Sequence, residues 1–271
     1  VVQSDSDAIK WFNRAARQNN MRAHYNIGIC YEKGYGVDID LERSYSEYRL
    51  AAGKGNEAAQ FRIGFFYEQG KVVAQNPTEA YSWYQKSAMS GYAEAEYKLG
   101  QFFENGIAVE KNDKTAFEWY SKSAEQGYAP AQYSVAVMCE CGRGTEQDFS
   151  AAVRNYRSAA DQGYPAAQNN LGDCLFSGRG VEKDERAALE WYRRSAAQGN
   201  SDAQYSAGWC YKNGRGTENG ERDAKKAVDY LRRAAESGNP SAEYSLGHCY
   251  ETGFGVKADE AEALYLYRLS A

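Results

Sequence analysis

The sequence predicts an all-α fold, a solenoid of helix-turn-helix repeats, on three observations. First, a block of 36 residues recurs along the chain. The glycine of a Leu/Ile-Gly-x-x-aromatic pattern falls at Gly28, Gly64 and Gly100, becomes Ala136, and returns at Gly172, Gly208 and Gly247, with five intervals of 36 and a last one of 39. Second, each block holds two stretches whose apolar residues fall at helical spacing. Third, glycines punctuate the two stretches at fixed places. Repeats of this length bury their apolar faces only against their neighbours and leave a long surface free. Such a chain reads as built to hold a partner rather than to react with one.

Residues 165–200 show how each element is specified. Helix A runs from about Ala166 to Phe176, with Ala167, Leu171, Cys174 and Leu175 as its apolar stripe. Gly172 has no side chain to keep a second helix away; a glycine inside a helix costs about 1 kcal/mol relative to alanine, so its recurrence implies a packing reason. Gly178 ends helix A as a left-handed cap, and Gly34, Gly70, Gly106, Gly142, Gly214 and Gly253 are its equivalents. A second glycine follows at Gly36, Gly144, Gly180, Gly216 and Gly255. It is Val72 and Ala108 in two blocks, which reads as a less demanding position. Six residues past the capping glycine, Asp40, Asn76, Asn112, Asp148, Asp184 and Asp259 are N-cap residues for helix B. Helix B then reads Ala188-x-x-Trp191-Tyr192-x-x-x-Ala196-Ala197, and Gly199 closes the block, as do Gly55, Gly91, Gly127, Gly163 and Gly238. Small residues of one helix receive the large Trp, Tyr and Leu of another. The in-frame aromatics therefore read as core.

Composition narrows the rest. The chain has 271 residues, a formal net charge of -5 and no stretch approaching 18 consecutive apolar residues, so nothing is expected to insert into a bilayer. Without a basic stripe, counterion release cannot drive strong nucleic-acid binding. The N-terminal Val1-Val2-Gln3-Ser4-Asp5 lacks signal-peptide character and the sequence opens inside a repeat, as a piece of a longer chain would. Of six cysteines, Cys30, Cys174, Cys210 and Cys249 share one repeat position, filled elsewhere by Phe66, Phe102 and Met138, and read as buried packing groups. With no usable glycosylation sequon, this cysteine usage leans towards a reducing compartment such as the cytoplasm.

The pattern Ala-x-Tyr-x-Leu-Gly-x-x-Tyr-x-x-Gly-x-Gly-Val, then Asp-x-x-x-Ala-x-x-Trp-Tyr-x-x-Ala-Ala-x-x-Gly, resembles the Sel1-like repeat family, a relative of tetratricopeptide repeats. Six full units cover 22–56, 57–92, 93–128, 129–164, 165–200 and 201–239 of a single array. Residues 240–271 form a seventh unit without its end, and 1–21 the second helix of an earlier one. The resemblance implies a right-handed α/α superhelical solenoid of Sel1-like helix-turn-helix repeats, acting as an adaptor or scaffold for protein–protein interaction. Departures fall at Ala136 for glycine, Asn169 for tyrosine and Ser44 for alanine, with three residues inserted near 217–221. The family's cysteine-rich bacterial subgroup, with a disulfide in each repeat, is not matched.

By analogy to tetratricopeptide repeats, the first helices line the concave face. Positions one past the repeat glycine are Ile29, Phe65, Gln101, Val137, Asp173, Trp209 and His248. Positions four past it are Glu32, Glu68, Glu104, Glu140, Phe176, Lys212 and Glu251. Tyr25, Phe61, Tyr97, Tyr133, Tyr205 and Tyr244 flank the same groove. Phe65 and Trp209 are large, apolar and off the consensus, as binding anchors are. The glutamates read either as a solvated face or as an acidic row for an extended peptide carrying Lys or Arg; in the second case, reversing Glu68 and Glu104 weakens a partner and leaves helicity intact. The two incomplete ends either pair with further copies, making a structural subunit that assembles end to end, or are simply where this stretch of sequence stops.

An enzyme is not expected. His24 and His248 lie near opposite ends of the array. Cys139-x-Cys141 has no second pair to complete a metal site. The Gly-Arg-Gly runs lack the Lys-Ser/Thr of a phosphate loop. No catalytic residue, metal or cofactor is assigned.

Overall fold

The computed structural model describes residues 5–271, and the first four residues of the opening partial unit lie outside the described residues. Among the described residues all regular structure is helical. Contacts divide the chain into two compact units, Val1–Ala131 and Gln132–Ala271.

In the first unit, α1 (Asp5–Ala16) precedes three hairpins: α2 (Met21–Lys33) with α3 (Leu41–Ala52), α4 (Glu57–Gln69) with α5 (Pro77–Met89), and α6 (Ala93–Asn105) with α7 (Asp113–Glu125). Each helix packs on the next in the chain. The local signals place the boundaries. Asp40, Asn76 and Asn112 sit in extended backbone, and their side chains accept from backbone N–H groups of the first turns of α3, α5 and α7. Gly34, Gly70 and Gly106 end α2, α4 and α6 at φ of 77°, 66° and 68°, where a side chain would clash with the backbone.

The second loop position corrects its sequence reading. Val72 and Ala108 stand at φ of 65° and 58°, in the same left-handed region as the glycines that replace them elsewhere. The turn dictates that conformation in every repeat, and these two residues hold it at a cost.

The repeat glycines do what their recurrence implied. A methyl group on Gly64 would lie 2.8 Å from the Tyr84 ring, and on Gly28 2.6 Å from that of Tyr48. Both tyrosines are fully buried. Ser44, in place of the usual alanine, is also fully buried and donates 2.8 Å to the Gly28 carbonyl. Ser87 and Ser123 tie their helices to the start of the same hairpin, donating 2.7 Å to the carbonyls of Glu57 and Ala93.

In the second unit, α8 (Ala129–Cys141, whose first residues precede the boundary) and α9 (Phe149–Asp161) come first. They are followed by α10 (Pro165–Ser177) with α11 (Glu185–Ala197), α12 (Ser201–Asn213) with α13 (Ala224–Glu236), and α14 (Pro240–Thr252) with α15 (Glu260–Leu269). Asp148, Asp184 and Asp259 cap helices as expected. The three-residue insertion forms a single 3-10 turn, Glu218–Gly220, and moves the cap of α13 to Asp223. Here Leu231 replaces the buried tyrosine and fills the space over Gly208. All six cysteines are free; Cys30, Cys139, Cys174, Cys210 and Cys249 are buried and Cys141 is exposed.

Candidate protein-interaction site

Position four past the repeat glycine has an internal role that its spacing did not reveal. Tyr48 donates 2.7 Å to Glu32, Tyr84 2.5 Å to Glu68, Tyr156 2.7 Å to Glu140 and Tyr267 2.8 Å to Glu251, and Tyr120 bonds Glu104 in the same way. A buried phenol from helix B is thus clasped by a carboxylate from helix A of its own hairpin. A cation then completes several clasps. Arg62 of the following repeat pairs with Glu32, Lys98 with Glu68 at 3.0 Å, and Arg179 with Glu140 at 2.8 Å. Burial, reinforced in Tyr84 and Tyr156 by the facing carboxylate, pushes these phenols well above their ordinary pKa, so they stay donors. Charge reversal at Glu68 would break such a clasp and therefore act on stability as well as on any partner.

The aromatic row pairs with the same phenols. Tyr25 packs on Tyr48 at 5.6 Å, Phe61 on Tyr84 and Tyr97 on Tyr120 at 5.4 Å, Tyr133 on Tyr156 at 5.9 Å, and Tyr244 on Tyr267 at 5.3 Å between ring centroids. Tyr205 packs instead against the Leu231 cluster. Tyr244 is the most open of the row, at 59% exposure.

The position one past the glycine is more varied. Ile29 lies against the core that Tyr48 and Phe66 share, and Val137 is half-buried. Gln101 donates 3.1 Å to the Tyr97 hydroxyl. Phe65 is half-buried, with the guanidinium of Arg62 over its ring at 5.1 Å. His248 lies 3.4 Å from Lys212. Phe65 and Trp209, the two off-consensus anchors, fall in different units.

The clasp pattern changes in the fifth and sixth repeats. Phe176 stands where the glutamate should be, and Tyr192 donates instead to Asp173, 2.7 Å away and one turn earlier on α10. Asn169 replaces the ring that elsewhere packs on this tyrosine, and its Nδ2 reaches Asp173 at 3.4 Å. In the sixth repeat both partners change together: Lys212 replaces the acid and Leu231 the tyrosine. The result is open space. Phe176, Tyr192, Tyr205, Ser206, Trp209 and Cys210 line a cavity of about 220 Å³. A polar cleft of about 350 Å³ beside it shares the walls Phe176 and Tyr192 and adds Glu140, Asn170, Asp173 and Arg179. Phe176 and Trp209 meet edge to face, 5.7 Å apart and inclined at 83°. Asp173 keeps part of its surface open to the cleft. Desolvation by the walls raises its carboxyl above the usual range despite the Tyr192 hydrogen bond, and Glu140 adds to the rise.

Sequence reasoning placed Asp173 and Phe176 on the first-helix face and singled out Trp209, with Tyr205 flanking it, but did not assign Asn169 or Ser206 to a site. The available signal was that these departures from consensus fall in adjacent repeats. The residues that could suggest chemistry do not assemble one. His24 bonds Glu47 at 2.7 Å, and burial raises the Cys139, Cys174 and Cys210 thiols, the last two to about 11 and 12. Among the described residues no cluster of three or more His, Cys, Asp or Glu could hold a metal ion, and no helix is long and apolar enough to cross a membrane.

Successive helical hairpins, tied by glycine nests and tyrosine clasps, define a helical-repeat protein of the solenoid class. The Sel1 repeat model matches residues 1–20, 22–56, 57–92, 93–128, 129–164, 165–200, 201–239 and 240–271, and the chain belongs to the Sel1-repeat family. A Sel1 repeat protein from Oxalobacter formigenes is similar over 92% of this chain and 96% of its own, with 29% identity and a TM-score of 0.79. A protective antigen of uropathogenic Escherichia coli with the same repeat fold, c5321, is 33% identical over 98% of this chain, with a TM-score of 0.71; this chain spans 64% of that antigen's length. No curated protein matches. Sel1-repeat proteins are generally non-catalytic scaffolds for protein interaction.

Proposed function

We propose that this chain is a non-catalytic scaffold that binds a peptide or protein segment along the face formed by the first helices of its repeats. The observation that carries the reading is the aromatic cleft at Phe176 and Trp209. At the Phe176 position every other full repeat but the sixth carries a glutamate that clasps a tyrosine, whereas here Phe176 opens with Trp209 onto a cavity. Large aromatics beside a pocket are the usual anchors of protein interfaces, because they bury much area at little entropic cost. A specific interface needs on the order of 1,200–2,000 Å² of buried surface, which several repeats together supply. Phe65, under Arg62 and flanked by Lys71 at 5.9 Å, is a second anchor in the first unit.

Affinity capture with mass spectrometry tests this reading, using the wild type beside Phe65→Ala and Trp209→Ala. A partner held by the wild type and lost from Trp209→Ala, with helicity unchanged, supports it. A partner held equally by both variants removes the site.

A further inference from the structure

The first unit contains, within its own chain, a model of what the cleft in the second unit lacks. Arg62 lies between two rings, 5.9 Å from the Tyr48 centroid and 5.1 Å from that of Phe65, and its guanidinium pairs with Glu32, the carboxylate that Tyr48 clasps. Four parts make this arrangement: a clasped tyrosine, its carboxylate, the aromatic one past the next repeat glycine, and the cation three residues before that aromatic. In the fifth and sixth repeats three of the four have counterparts, the carboxylate standing one turn earlier on its helix. Tyr192 is clasped by Asp173, and Trp209 stands at the place of Phe65. The fourth is missing: the place of Arg62 is taken by Ser206, which lines the cavity with Tyr192 and Trp209.

The nearby cations do not substitute for it. Arg179 is bonded to Glu140 at 2.8 Å, and Lys183 and Arg215 both pair with Glu185. Asp173 has no ion-pair partner among the described residues, and Glu140 faces the same cleft. Asn169, with 9% of its surface exposed, leaves its Oδ1 without a hydrogen-bond partner among the described residues. Buried polar atoms are normally paired, and this one lies on the helix that carries Asp173.

We propose that the cleft between α10 and α12 is a subsite for an arginine side chain of the bound protein segment, its guanidinium pairing with Asp173 between the rings of Tyr192 and Trp209. The assignment rests on the scaffold reading and names the chemistry that the scaffold selects. Arginine fits because its planar fork bonds a carboxylate while its faces stack on rings, as Arg62 does internally.

The probe is N-acetyl-arginine amide, titrated into the full chain while the indole N–H resonances are followed. Trp209→Phe identifies the Trp209 signal among those of five tryptophans. The expected result is a saturable shift of that signal, with N-acetyl-citrulline amide, the uncharged isostere, binding at least roughly tenfold more weakly, as a charge-assisted hydrogen bond implies. Asp173→Asn keeps an acceptor for Tyr192 and should weaken the arginine probe by a similar factor. Ser206→Arg supplies the missing guanidinium internally and should abolish probe binding while the far-UV spectrum stays helical. Equal binding of arginine and citrulline, no saturable shift, or unchanged affinity in Asp173→Asn would overturn the subsite; the citrulline comparison needs no variant. The two readings fail separately. A wild type that captures a protein while its Trp209 signal ignores the probe loses only the subsite. A signal that responds to arginine in a chain capturing no protein keeps the subsite and removes the scaffold.

Discussion

The tyrosine clasp can be tested as a coupled pair with Tyr84 and Glu68. The Tyr84 ring is fully buried over Gly64, so Tyr84→Phe removes the hydroxyl and leaves the packing in place. What is lost is a 2.5 Å hydrogen bond to a carboxylate, itself paired with Lys98 at 3.0 Å. Hydrogen bonds to charged groups contribute about 1.5–3 kcal/mol. The Glu68 side chain is 25% exposed, and water there can replace part of the bond, so the lower end applies: about 1.5 kcal/mol for Tyr84→Phe. Glu68→Gln keeps an acceptor but loses the charge and the part-buried pair with Lys98, which together should cost about 1 kcal/mol. In the double variant the second loss is partly absorbed, leaving a coupling of about 1 kcal/mol. Urea titration followed by circular dichroism measures all four corners of the cycle, fitted with a nearest-neighbour scheme because repeats can unfold in parts. Independent sites add to within about 0.3–0.5 kcal/mol. Additivity within that margin would refute the clasp as an energetic unit. The sixth repeat makes both changes naturally, with Lys212 and Leu231 standing where the others have an acid and a tyrosine.

Three further outcomes follow from the same packing. Glu96 is buried, accepts from Gln126 at 2.6 Å, and has its pKa raised above the usual carboxylate range chiefly by burial, while equivalent positions hold Gln132 and Gln168. A raised carboxyl stabilises the fold below its unfolded pKa and loses that contribution as pH rises, so Glu96→Gln should gain about 1 kcal/mol at pH 7. Thermal melts should show that gain vanishing below a pH of about 4. The phenols of Tyr48, Tyr84, Tyr156 and Tyr192, all raised by burial, hold their protons longer when folded. Their contribution to stability should therefore be constant up to a pH of about 10 and fall above it, with tyrosinate absorbance appearing together with unfolding. Titration with a thiol reagent at mildly alkaline pH should modify Cys141 rapidly, and Cys174 and Cys210, whose thiols burial lifts to about 11 and 12, only on denaturation.

What was legible in the sequence was what one residue signals about its own few neighbours. Asp and Asn caps, the glycines that end helix A and the apolar stripes are local, and α10 was placed within one residue at each end. The turn at Val72 and Ala108 was misjudged because residue variety was read as conformational freedom, whereas the left-handed geometry is imposed by the hairpin. The clasps were illegible because they join positions 16, 19 and 30 residues apart, a pairing that no single-helix periodicity contains. The glutamates therefore looked like a free acidic row. The candidate site was half visible: Trp209 stood out as an off-pattern aromatic, but Asn169 was read only as a departure from the repeat pattern rather than as space made beside Tyr192.

The three-residue insertion sits in the one hairpin whose helices carry Lys212 and Leu231 in place of the acid and the phenol. That hairpin holds its two arms together without a hydroxyl-to-carboxylate tether and takes up the extra residues in a single turn. The exposed turn Glu218–Gly220 is accordingly the place to graft an epitope or a fluorophore without disturbing the array.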